Sequence, residues 1–381
     1  MHIGVLDRDV EFARSAYCAD INVSARQIVF HAVNGGNKLF YICASGGFAI
    51  HIGYLRRERL FAGTFILFVS LILTRLIRQG WLALCGGICT ASPTASFWST
   101  ASFGSTAPEA YRVAIPIAQR VLIRLFHLHD GTYGDALIQF TCCFLALFLF
   151  YSLAVKGLDA SKDRIVSLAM FLAFIQFPFA FILFRQRPET LPTALFLALS
   201  LFCISRVGHR WTVALLFFTL IQSFVRADVP FVLGLALVLI SLRNPSSHSA
   251  NLFRGLGTML VAGCVQLYLQ FVCFPHLPYS SRVLVFHENL SRNHLIILFL
   301  ALAPFLYVLL LLRSSRINLR EIDLLAIIAS LLYLPLWFTV GVVVEVRIFV
   351  PFLLALCVVA ARVSSGYLSS NSRAAMVADE N

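Results

Sequence analysis

"LLAIIASLLYLPLWFTVGVVV", residues 324–344, decides the class of this chain. It carries no charged side chain, and as a helix it is long enough to cross the roughly 30 Å of a bilayer's hydrocarbon core. "IFVPFLLALCVVAA", residues 348–361, follows almost at once. Between them stands "VEVRIFVPF", residues 344–352, with Glu345 and Arg347 set against apolar sequence on both sides.

Outward from there the pattern repeats. Apolar runs predict about ten spans, near 60–77, 134–155, 164–184, 189–205, 211–225, 228–242, 254–274, 294–312, 322–343 and 346–363. Of the 381 residues 59% are hydrophobic and 13% charged, and the mean hydropathy is +0.85. Soluble domains carry about 25% charge. Strand-like alternation is absent, which argues against a β-barrel. The expected fold is all-α, a polytopic transmembrane helix bundle. The net charge of +12 comes from bases that punctuate the apolar runs. That is the positive-inside pattern of membrane loops, not a nucleic-acid surface. The cysteines show no CxxC and no zinc spacing.

Three regions follow from composition: a polar extension over 1–58, cytoplasmic or an upstream mis-called start; a transmembrane domain over 59–365; and a polar tail over 366–381. The extension lacks signal-peptide order. Within the domain, "VAIPIAQRVLIRLFHL" spaces Ile115, Ile117, Val121, Leu122 and Leu125 helically, with Gln119, Arg120 and Arg124 elsewhere on the wheel. It reads as an amphipathic helix in the membrane interface.

Orientation by Lys/Arg bias puts Lys156, Arg206, Arg254 and Arg320 inside. The other side then holds Glu109 with Arg112, Arg187 with Glu189, Arg226 with Asp228, Glu288 with Arg292, and Glu345 with Arg347. Ionisable groups at such span edges face a bundle interior or wet cavity, or else form structural pairs or snorkel to lipid phosphates. Glu345 and Arg347 are two apart and do not face each other on one helix, so each needs another partner. His287 and His294 lack ligand spacing, and Asn289-Leu290-Ser291 is a glycosylation sequon.

"PEAYRVAIPIAQRVL", "RPETLPTALFLALSLF", "RADVPFVLGLALVL" and "EVRIFVPFLLAL" occur in this order, each at the same membrane edge. In this the chain, over about 60–365, resembles the polytopic glycosyltransferases of the C superfamily, which take sugar from a polyprenyl-phosphate donor. The resemblance implies Glu109 as the catalytic acid. It implies Arg112, Arg187, Arg226 and Arg347 as binders of the donor phosphate. Asp228, Glu345 and Glu189 would support them, orienting arginines or meeting sugar hydroxyls. It implies a polyprenyl-phosphate-linked sugar and membrane lipids as partners, no nucleic acid, and a bacterial inner membrane. No cofactor is implied with certainty, and a divalent metal is left open. The first outer loop departs from the family pattern. No acid precedes Glu109 there, and Asp130 and Asp135 come only later.

The chemistry is consistent with such a set. A carboxylate base activates an acceptor hydroxyl in an oxocarbenium-like reaction, and arginine forks stabilise the departing phosphate. Two other readings stand beside it: a transporter or flippase for an anionic lipid or sugar-lipid, and a membrane protein without catalysis.

Overall fold

The computed structural model describes residues 47–84, 113–127, 131–158, 161–182, 189–243, 248–275, 286–314, 319–340 and 346–379. The chain divides into two compact units, Met1–Phe61 and Ala62–Asn381. Of the first, only the start of a helix is described. The expected boundary at 58 falls inside that helix, α1 (Gly47–Leu84).

The described residues are helical, with no strand among them. After α1 come α2 (Ala114–Phe126), α3 (Gly131–Val155), α4 (Ser161–Ile182), α5 (Thr190–Ile204), α6 (His209–Arg226), α7 (Asp228–Arg243) and α8 (His248–Tyr268). A π-turn, Leu269–Cys273, ends α8. The short α9 (Phe286–Asn289), then α10 (Arg292–Ala301), α11 (Ala303–Ser314), α12 (Glu321–Val340) and α13 (Val350–Asp379) complete the order.

Six stretches are long and apolar enough to cross a membrane: 60–77, 133–155, 163–180, 249–273, 321–339 and 350–368. The α10–α11 pair, bent by 54°, is a seventh if it counts as one span. Large apolar side chains such as Leu260, Phe271 and Leu310 stand exposed on these helices, as lipid-facing residues do. The chain is a multi-pass helical membrane protein.

The centre of the bundle is α13. Of its 350–368 stretch 83% is buried, against 22–50% for the other five candidate spans. It packs on α3, α4, α5, α11 and α12. In lipid, helices associate by close packing rather than by leaving water, so small residues mark the tightest seams. Ala355, Ala360 and Ala361 of α13 are accordingly fully enclosed. The α7–α8 seam is closer still. A Cβ built on Gly234 lies 2.8 Å from the Gly255 carbonyl oxygen, and one on Gly255 lies 2.8 Å from that of Gly234.

Two boundaries correct the sequence reading. A 3₁₀ turn, Val346–Ile348, precedes α13, which starts at Val350 rather than 346. Pro351 sits in the first turn of that helix, where its missing N–H has no intrahelical role. At the other end α13 runs on to Asp379, so the polar tail begins as helix.

In α2 one expectation is also revised. Ile115 and Gln119 form the buried side, and Ile117, Val121, Leu125 and Phe126 are exposed. Gln119 turns inward because its amide donates to Asp135 Oδ1 of α3 at 3.0 Å. The helix still shows an apolar stripe outward, with Arg124 also exposed.

Candidate functional site at the Arg226 end

Chain direction sorts the charges into two ends. α5 runs from Glu189 toward Arg206, α6 returns to Arg226, and α7 leaves from Asp228. At 1.5 Å per residue, α5 and α6 separate the two ends by roughly 22–27 Å.

At the first end, α6 stops at Arg226 and α7 starts at Asp228, with Ala227 alone between them. Asp228 lies in the first turn of α7, where a carboxylate suits the helix dipole. It takes a forked contact from Arg226: Nε donates to Oδ1 at 3.2 Å, and Nη2 donates to Oδ2. The same guanidinium donates from Nη1 to the Ile348 carbonyl at 3.1 Å and from Nη2 to Tyr333 Oη. Tyr333 Oη in turn donates to Asp228 Oδ2 at 2.5 Å. Glu189, at the start of α5, adds its negative charge to the surroundings of Arg226.

Arg226 is therefore largely committed. A guanidinium has five N–H groups, and four N–H···O contacts use most of them. Its side chain is 5% exposed, while that of Asp228 is 34% exposed. The arginine acts as a clip joining α6, α7, α12 and the 346–348 turn. The more exposed member of the pair is the carboxylate of Asp228.

The walls are polar and aromatic. Glu189, Thr190, Thr193, Gln222 and Ser223 are all buried at this end. Tyr333 stacks on Phe352 at 4.5 Å, and Trp337 stacks on Phe349 at 5.1 Å. Two groups here lack the partners that buried polar atoms nearly always find. Both amide atoms of Gln222, one turn from Arg226 on α6, have none, and neither does Trp337 Nε1, one turn from Tyr333 on α12.

Of the residues expected at the site, the structure brings together Arg226, Asp228 and Glu189. The backbone at 346–348 joins them, so "RADVPF" and "VRIF" do meet. Arg347 belongs to the 3₁₀ turn, not to the following helix; its side chain lies outside the described residues. Glu109, Arg112, Arg187, Glu345 and Asp130 also lie outside them. Asp135 is described and belongs to the α2–α3 contact, accepting from Gln119 and, at 3.4 Å, from Gln139. The sequon residue Asn289 is fully buried and donates to the Phe338 carbonyl at 2.7 Å. Among the described residues no group of three or more His, Cys, Asp or Glu is arranged to hold a metal.

Tyr333, Trp337 and Gln222 were missed. Their signal is present but faint: "LLYLPLW" places Tyr333 and Trp337 four apart, and "IQSFVR" places Gln222 four before Arg226. Each pair shares a helix face. Comparison with family models, curated proteins and solved structures finds no match to this chain.

Proposed function

We propose that the chain is a glycosyltransferase-like membrane enzyme that moves a sugar from a polyprenyl-phosphate donor to an acceptor at the Arg226 end. The observation that supports this best is the meeting of three segments far apart in sequence, at Glu189, Arg226–Asp228 and Ile348, in one buried polar layer. In this reading α5, α6 and α7 also cross the membrane, which makes ten spans with the bent α10–α11 pair. The Arg226 end faces outward from a bacterial inner membrane, and α2 lies in the interface with its apolar stripe toward lipid.

The acceptor hydroxyl attacks the anomeric carbon, its proton passes to Glu109, and the bond to the phosphate breaks. Because Arg226 is held by Asp228, Tyr333 and Ile348, its part is positioning. The donor phosphate falls to Arg112, Arg187 and Arg347, and Asp228, about a third of its side chain exposed, meets a sugar hydroxyl. Glu189 and Glu345 keep the arginines in place.

The test is a purified, nanodisc-embedded protein supplied with radiolabelled polyprenyl-phosphate sugars and a lipid extract as acceptor. Release of polyprenyl phosphate with transfer of label supports the proposal. Folded protein that turns over no donor overturns it. A transporter or flippase is the second reading, favoured by the break between α10 and α11, since interrupted helices are common in transporters. Fluorescent-lipid translocation without sugar transfer would select it.

A further inference from the structure

The opposite end of the bundle has a charge surplus that the outer site does not use. Lys156 comes directly after the 133–155 span and donates from Nζ to the Ser205 carbonyl at 2.5 Å. Arg320 donates to the Lys156 carbonyl at 2.5 Å and to the Leu153 carbonyl at 3.1 Å. Arg254, only 7% exposed, donates to Thr212 Oγ1 at 2.9 Å and to the Arg206 carbonyl at 3.1 Å. The Arg206 guanidinium rests over Phe202 at 5.1 Å and near Trp211 at 5.9 Å.

Among the described residues at this end, cations outnumber acids. Asp323 is buried and already shared between Arg320 and Arg362. Glu321 accepts from Asn251 at 2.5 Å. Lys156, Arg206 and Arg254 have no carboxylate partner among the described residues. Burial, together with the charges of Arg206 and Arg320, lowers the Lys156 pKa from its ordinary value. Like charges gathered this closely are stabilised by an anion between them.

We infer that the 205–208 loop, with Lys156 and Arg206 at it, binds the phosphodiester headgroup of an anionic membrane lipid, while Arg320, held by Asp323 and two carbonyls, braces Lys156. The position selects a lipid over a soluble anion. Lys156, bonded to the loop at Ser205, stands where the 133–155 stretch ends, and Trp211 beside Arg206 is a residue type that settles at the headgroup level. Val207 is almost fully exposed, and Leu242 and Phe253, at the ends of α7 and α8 nearest this side, are exposed too. Basic residues at such a depth attract anionic headgroups.

Native mass spectrometry of the full chain in detergent, titrated with phosphatidylglycerol or phosphatidylcholine, tests the site. Phosphatidylglycerol is expected to bind at least about 10-fold tighter, and the Lys156→Gln/Arg206→Gln double variant to lose about that factor. The melting temperature is read alongside. If that variant unfolds, Arg206→Gln alone carries the test, since among the described residues its guanidinium makes only the two aromatic contacts. Arg210→Gln/Arg243→Gln removes the same charge from exposed positions at this end and is expected to keep most of the preference. Equal binding of the two lipids, undiminished binding by the folded site variant, or an equal loss in the control variant overturns the inference. So does displacement of phosphatidylglycerol by 10 mM inorganic phosphate (a roughly millimolar competitor that screening alone does not explain), because it would make the ligand a soluble anion.

Discussion

Gly255→Ala places a methyl group where no space exists. The new Cβ would stand 2.8 Å from the Gly234 carbonyl oxygen, 2.8 Å from Val238 Cγ2 and 3.0 Å from Val238 N. Comfortable contacts between such atoms begin at about 3.5 Å. Val238 is β-branched and stiff, and the other two atoms are backbone, so α7 and α8 must move apart. Such overpacking costs about 1–3 kcal/mol. Alanine's better helix propensity returns about 1 kcal/mol. The net loss is about 0–2 kcal/mol, in the upper part of that range because two of the three atoms met are backbone. Gly234→Ala meets the Gly255 oxygen at 2.8 Å but otherwise the pliable Met259 Cγ at 2.8 Å, besides Met259 N at 3.0 Å, so it loses less. Gly263→Ala lies on the same helix as Gly255 with nothing within 4 Å, and gains up to about 1 kcal/mol. Thermal unfolding of the purified variants in one detergent should rank Gly263→Ala highest, then wild type, Gly234→Ala and Gly255→Ala. If Gly255→Ala melts at or above wild type, or Gly263→Ala falls as far, the close seam is not what holds these helices. The seam bears on the site as well. Asp228 begins α7 less than two turns before Gly234, so a shift there moves the carboxylate against Arg226.

Arg226→Met leaves Asp228, Tyr333 and the Ile348 carbonyl without their shared donor. Breaking a buried pair costs about 3–5 kcal/mol, and the one-third exposure of Asp228 puts the loss at the low end, read by chemical denaturation; a loss below about 1 kcal/mol would show the clip to be dispensable. Tyr333→Phe removes only the hydroxyl and should cost about 1 kcal/mol, with the ring stack on Phe352 kept. Glu109→Gln should cut any sugar transfer by about 100-fold or more; near-wild-type turnover would take the base role away from it. In a cysteine-free background, Val207→Cys and Ser105→Cys should label from opposite sides of the membrane, and labelling from one side would undo the proposed orientation.

The sequence by itself determined the class and most helix positions. Hydropathy is read along one dimension, and the runs expected at 60–77 and 134–155 match candidate spans within a residue. The Lys/Arg bias likewise separated Lys156, Arg206, Arg254 and Arg320 from Glu189, Arg226 and Asp228, and those two sets form separate clusters in space. Tertiary structure alone decided which helix is central. α12 is the more apolar stretch, yet α13 is the buried one. Lipid tails and protein interior are equally apolar, so hydrophobicity does not distinguish a helix facing one from a helix facing the other. It also decided what Arg226 does. The partner Asp228 is two residues away, but Tyr333 and Ile348 are more than a hundred residues downstream. Only packing of α6 and α7 on α12 and the 346–348 turn turns an arginine that reads as a phosphate binder into a clip that holds four segments together.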